Sequence, residues 1–199
     1  IGFVLWGRGL FCGWLCPFGA LQEFAAKLGA LLRLPQITPS AWWDARLRSL
    51  KYVVLASLVA VTIWVPSQID AAAEVEPFKT AITVYFVREW WYVAYAAFWL
   101  VLSMVLFKGF CRYVCPLGAV MAIGGLLRRR EWIERRVECG SPCQLCKVKC
   151  QYGAIKQDGA IRYDECFQCL DCVTIHDDEK TCVPLILAER GRKLKAAAA

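Results

Sequence analysis

CGSPCQLCKVKCQYGAIKQDGAIRYDECFQCLDCVTIHDDEKTC, residues 139–182, holds eight of the chain's twelve cysteines. They fall in two tight runs, Cys139-x3-Cys143-x2-Cys146-x3-Cys150 and Cys166-x2-Cys169-x2-Cys172, with Cys182 trailing. This is the spacing of a two-cluster iron–sulfur module, in which three cysteines of one run hold one cluster and the fourth crosses to the other. Cys150 thus joins Cys166, Cys169 and Cys172 on one 4Fe–4S cluster. The second cluster takes Cys139, Cys143 and Cys146 and needs a fourth ligand from the end of the second run. His176, the only histidine in the chain, stands at the expected spacing after Cys172, and Cys182 stands ten positions after Cys172. Thiolate is the usual ligand and Cys182 has no other evident partner, which favours Cys182 and leaves His176 as the alternative.

Between the runs, Ala154-Ile155 and Ala160-Ile161 flank Asp158-Gly159, a turn dipeptide between short apolar pairs that predicts a hairpin. Small and apolar residues there would wrap the clusters, and burial with N–H bonds to sulfur tunes cluster potentials. Disulfide pairing is the competing reading. Secreted disulfide frameworks, however, rarely carry two CxxC-rich runs at this spacing.

Upstream, the other four cysteines form a repeat. FCGWLCPFGAL (residues 11–21) and FCRYVCPLGAV (residues 110–120) both read F-C-x-x-x-C-P-x-G-A, with the copies 99 positions apart. Cysteines at i and i+4 share one helix face, so Cys12 with Cys16 and Cys111 with Cys115 make two matched pairs. One such pair alone reads as small buried residues at a helix end, with Pro opening the next helix. Two in matching positions favour chemistry. Brought together, the four thiolates would hold a further cluster or a metal, or act as redox thiols, and the spacing does not choose among these.

The surrounding chain reads as membrane-embedded, being 58% hydrophobic with a mean hydropathy of +0.42. Two uncharged runs of 18 residues approach the ~20 that a spanning helix needs, so spans are predicted at about 52–69 and 90–107. Residues 1–6 read as the tail of another spanning helix. With no initiator Met, basic n-region or cleavage site, the chain is expected to be a fragment that lacks an upstream membrane segment. Leu21, Phe24, Leu28, Leu31 and Leu32 recur at helical spacing with Gln22, Glu23 and Lys27 between them. That pattern predicts an amphipathic helix over about 17–34, at the membrane surface or under the bundle, closed by Pro35 and Pro39.

The net charge of +7 follows topology and not nucleic acid, because the cysteine stretch itself carries five Lys/Arg against seven Asp/Glu. Residues 17–51 hold five basic and two acidic side chains, residues 108–136 seven and two, and residues 70–89 two and four. Positive-inside logic places both CxxxCP segments and the module in the cytoplasm, where reducing conditions disfavour disulfides. A single histidine excludes bis-His haem, and no CxxCH, GxGxxG, Walker A or serine-hydrolase motif occurs. No catalytic residue is assigned. Electron transfer is the function class that remains.

GRGLFCGWLCPFGALQE, EVEPFKTAI, FCRYVCPLGA and ECGSPCQLC together resemble the NosR, NapH and CcoG type of membrane iron–sulfur proteins, the C-terminal half of NosR members above all. The likeness covers nearly all of residues 1–185. It implies a multi-pass bacterial inner-membrane protein that passes electrons across the membrane and supports activity or maturation of nitrous-oxide reductase in denitrification. The implied electron source is quinol or a cytoplasmic donor. FMN is implied only for an N-terminal periplasmic domain that this chain does not contain. The type also carries a His before the last Cys of the second run, which would make the choice between His176 and Cys182 a family feature. Two other readings are a metallochaperone or assembly factor that uses the CxxxCP pairs, and a NapH-like quinol-oxidising subunit.

The expected architecture is mainly α. Residues 1–136 form a transmembrane helical bundle with the two CxxxCP motifs, residues 137–185 a ferredoxin-like module with two 4Fe–4S clusters, and residues 186–199 a tail.

Overall fold

The computed structural model describes residues 8–68, 71, 74–77, 80–81, 85–87, 89–126 and 131–197. A π-helical turn, Leu10–Leu15, carries Cys12 and leads into α1, Pro17–Leu31. Cys16 is extended at the helix N-cap and Pro17 opens the helix, where its missing N–H costs nothing. Helix α2, Ala41–Trp64, follows Pro39 and Ser40 and stops before Pro66. Helices α3, Trp90–Ser103, α4, Gly109–Tyr113, and α5, Pro116–Leu126, complete the larger part. The module adds α6, Leu145–Lys149, α7, Asp171–Asp177, and α8, Val183–Ala197. No strand forms among the described residues. The expected hairpin is present as an antiparallel bridge between Ile155 and Ile161.

Helix α2 packs on α4 and α5, and α1 packs on α3. One core joins the two parts: Cys12, Phe18, Phe110 and Cys111 from the larger part cluster with Tyr152, Ala154 and Phe167 from the module.

Several boundaries differ from the sequence expectation. The first apolar helix starts at Ala41 and ends at Trp64, not over 52–69, because Arg48 and Lys51 are buried and Asp44 half-buried, all in ion pairs. Residues 42–64 form the one described helix long and apolar enough to cross a membrane, and 11% of its most apolar window is buried inside the chain. The second predicted span, 90–107, ends as a helix at Ser103. Fourteen residues rise about 21 Å, short of a ~30 Å hydrocarbon core. The expected tail is helical from Val183 to Ala197, with an i,i+4 pair between Glu189 and Lys193 at 2.7 Å. Helix α1 spans Pro17–Leu31 and buries Phe18, Gln22, Ala26 and Gly29, leaving Leu21, Phe24, Leu28 and Leu31 outward. The helix end expected at 1–6, the basic run 128–130 and much of the 70–89 loop lie outside the described residues.

Candidate functional site

The module gathers seven of its eight cysteines around two cavities. One is lined by Cys139, Cys143 and Cys146, with Arg135, Gly140 and Ile155. The other is lined by Cys150, Cys166, Cys169 and Cys172, together with Cys146, Ile133 and Ile161. Gln168 donates its backbone N–H to Cys166 Sγ at 3.4 Å. Desolvation pushes the Cys146 and Cys172 thiols above their ordinary range, so that a bound metal is what would hold them as thiolates. Cys182 is buried and lines neither cavity. Its Sγ accepts from Arg136 Nη1 at 3.1 Å. His176 Nδ1 lies 2.6 Å from Asp177 Oδ1, and its Nε2 is buried without a hydrogen-bond partner.

The two CxxxCP motifs fold alike. Cys16 N–H donates to Phe11 O at 2.8 Å and Cys115 N–H to Phe110 O at 3.0 Å, the same wide turn in both copies. In each copy the glycine three residues on then donates its N–H to the second sulfur: Gly19 to Cys16 Sγ at 3.4 Å and Gly118 to Cys115 Sγ at 3.3 Å. Gln22 Nε2 reaches from α1 to Cys111 Sγ at 3.1 Å, and its Oε1 accepts from Ser103 at 3.1 Å. Burial raises the Cys111 thiol well above its ordinary value, with Cys115, Cys16 and Cys12 acting on it in the same direction. The Cys115 thiol is likewise pushed up to about 12 by burial. The four sulfurs thus share one electrostatic neighbourhood.

None of the twelve cysteines, all among the described residues, is in a disulfide. Among the described residues no three His, Cys, Asp or Glu side chains close around a point for a single ion. A four-iron cube does not require that, since each thiolate binds a different iron. Seven module cysteines that line two cavities at cluster spacing, with Cys166 Sγ receiving a backbone N–H, fit such a group.

The second cysteine run is seated on the first CxxxCP turn. A Cβ on Gly13 would stand 2.2 Å from Phe167 O, so only glycine permits this approach. Trp14 Nε1 donates to Gln168 O at 3.1 Å. Phe167 stacks on Tyr152 with ring centroids 4.5 Å apart, and Tyr152 meets Phe107 edge-on at 5.1 Å. Buried cations frame these rings. Arg8 Cζ lies 4.2 Å from the Phe167 centroid and Lys108 Nζ 5.4 Å from it. Glu165, beside Cys166, pairs with Arg8 at 3.1 Å and Lys51 at 2.6 Å. Sequence reasoning gave no site role to Arg8, Gln22, Lys51, Lys108, Glu165 or Phe167, whose partners are distant in the chain.

A family model described as NosR matches residues 137–193, and one described as a 4Fe–4S binding domain matches residues 1–35 and 89–133. The chain is 49% identical, over 98% of its length, to the regulatory protein NosR of Stutzerimonas stutzeri, covering 27% of that relative. A regulatory protein NosR from Pseudomonas aeruginosa is 52% identical over 88 residues, which is 44% of this chain and 87% of that relative. This chain belongs to the NosR family. Protein NirI of Paracoccus denitrificans is 42% identical over 96% of the chain and 28% of that relative. The chain therefore spans little more than a quarter of the length of these longer NosR-family relatives. No solved structure matches it. The matched 4Fe–4S domain covers both CxxxCP pairs, which makes this an iron–sulfur chain of the NosR family.

Proposed function

We propose that this chain relays single electrons at a bacterial inner membrane through two 4Fe–4S clusters in a cytoplasmic module, residues 137–185, and supports nitrous-oxide reductase activity or maturation in denitrification. Cys139, Cys143, Cys146 and Cys182 hold one cluster, and Cys150, Cys166, Cys169 and Cys172 hold the other. The observation that carries the reading is the seating of Phe167, between Cys166 and Cys169, against Gly13 of the first CxxxCP turn. That contact brings the module's sulfur and the paired cysteines into one core. Anaerobic purification with iron, sulfide and EPR measurement tests it. At least about eight irons per chain are expected, from two four-iron clusters and any iron at the paired cysteines, and fewer than about four would end the proposal.

The pairs Cys12 with Cys16 and Cys111 with Cys115 are read as a further metal–thiolate site. Charge supports this. Among the described residues Arg8, Lys51, Lys108, Arg48 and Arg112 are buried, against the carboxylates of Glu165, Asp44 and Glu23 that pair with them. Buried cations left in excess are costly, and a metal held by four thiolates supplies negative charge where neutral thiols or a disulfide supply none. Burial also opposes a thiol-handling role, because exchange needs an accessible thiolate whereas Cys12 and Cys111 are 5% and 4% exposed.

A quinol-oxidising role is the second reading, favoured by a cleft of about 430 Å³ lined by Trp14, Glu23, Phe107, Tyr152, Phe167 and Cys169. Its size suits a small aromatic molecule. A quinone analogue that leaves the EPR spectrum of the reduced protein unchanged at saturation would count against it.

A further inference from the structure

Between the paired cysteines and the second cysteine run lies a guanidinium that contacts both. Arg8 is fully buried. Its Nη1 donates to Glu165 Oε2 at 3.1 Å, its Nη2 to the Cys111 carbonyl, and its plane lies against Phe167. Cys12, Cys111 and Cys115 are all within its electrostatic reach. Glu165 immediately precedes Cys166, and the Cys111 carbonyl belongs to a paired cysteine. One cation therefore touches the backbone or a neighbouring side chain of both sulfur groups.

We propose that Arg8 is a positioning residue that joins the paired-cysteine site to the run from Cys166 to Cys172 and sets the reduction potential of a cluster held there. The proposal rests on the iron–sulfur reading above. Its physical basis is that adding an electron to a thiolate-bound cluster adds negative charge in a region from which water is excluded. A fixed cation there favours the reduced form, and a fixed carboxylate disfavours it. Arg8 and Glu165 are the opposing members of this pair. Lysine is no substitute for the arginine: the two forks of the guanidinium point at different elements while its face covers a ring, and an ammonium cannot do all three.

The arrangement also explains two small residues. A Cβ on Gly118 would come within 3.3 Å of Arg8 Nη2, and one on Gly9 would strike the Gln168 side chain at 2.3 Å. Gly118 thus leaves room for the guanidinium, and Gly9 for the Gln168 side chain.

The test is an EPR-monitored redox titration of the whole protein, purified anaerobically from membranes, as wild type and as Arg8→Gln, Glu165→Gln and Arg8→Lys. Arg8→Gln is expected to lower the midpoint potential of at least one cluster. Glu165→Gln is expected to raise it. Each shift should be at least tenfold in the ratio of oxidised to reduced protein at fixed potential, about 59 mV for a one-electron couple. Arg8→Lys is expected to shift less than Arg8→Gln. A merely structural role would lower cluster occupancy in both neutral variants without moving their potentials in opposite directions. Wild-type potentials in Arg8→Gln and Glu165→Gln, with iron retained, would overturn the proposal. So would shifts of the same sign. If Arg8→Gln does not fold, Glu165→Gln decides alone, an upward shift supporting the proposal and none overturning it. Absence of iron from the wild-type protein would instead refute the iron–sulfur reading itself.

Discussion

Arg136 Nη1 donates both to the His176 carbonyl at 2.6 Å and to Cys182 Sγ at 3.1 Å, so the two rival ligands hang from one guanidinium. A sulfur that is 6% exposed and receives a charged N–H donor is set up as a thiolate ligand. A ring fixed through Nδ1 by Asp177 with Nε2 left free has the orientation of a ligating histidine as well. Ligand softness decides for Cys182. Cys182→Ser is expected to lower iron by about four per chain and remove one cluster signal, while His176→Ala keeps both. The reverse pattern in iron analysis and EPR would exchange their roles. Lys108 offers a second case at this scale. Its ammonium is 1% exposed, with Glu23 Oε2 3.0 Å away. Glu23→Gln strands that charge, at a cost of about 1–3 kcal/mol after discounting for the partial exposure of Glu23. Lys27→Gln, which removes only the exposed i,i+4 partner of Glu23, should cost under about 0.5 kcal/mol by the same thermal unfolding measurement.

At the scale of elements, the contact between the first CxxxCP turn and the second cysteine run depends on a missing side chain. Gly13→Ala places a methyl 2.2 Å from the Phe167 carbonyl, a backbone atom that cannot rotate away, so the module must shift. A loss of about 1–3 kcal/mol is expected, read as faster hydrogen exchange across residues 164–170. Gly124→Ala, in α5 with nothing within 4 Å, is the control, expected to be neutral or to stabilise by about 0.5–1 kcal/mol. The same contact explains what could be read from sequence. Cysteine spacing is local, and so is the Asp158-Gly159 turn, and both are legible in a short window. Arg8 and Glu165 stand 157 positions apart and Gln22 and Cys111 89 apart, so no window contains either pair. Helix α2 was misplaced for a related reason. Asp44, Arg48 and Lys51 read as the end of an apolar run, yet Lys51 pairs with Glu165 and Arg48 donates to the Tyr152 carbonyl, partners more than 100 positions away. In α1 the large apolar residues marked a helix correctly, but Phe18, Gln22, Ala26 and Gly29 form the buried face.

For the whole molecule, this inversion of α1 and the exposure of α2 bear on where the chain sits. Phe24, Leu31, Val53, Ile63, Phe98 and Val101 are all exposed, across three helices, which water would penalise and lipid would not. Trp42 and Trp43 stand at one end of α2 and Trp64 at the other, as interfacial aromatic residues do. From Trp42 to Trp64 the helix rises about 34 Å, enough to cross a ~30 Å hydrocarbon core. Its first turns, with Arg48 and Lys51, hold the module, so the module lies beside the Trp42 end and the Pro66–Gln68 turn at the other. A crossing α2 therefore separates Lys180 from Gln68, both exposed, by the thickness of the bilayer. Lys180→Cys is expected to react with an impermeant maleimide only in inverted membrane vesicles, and Gln68→Cys only in right-side-out ones. The unsubstituted protein, treated in parallel, sets the background of its own thiols. Labelling of both positions from the same side would mean that α2 lies along the membrane surface and that the exposed apolar residues face its headgroups.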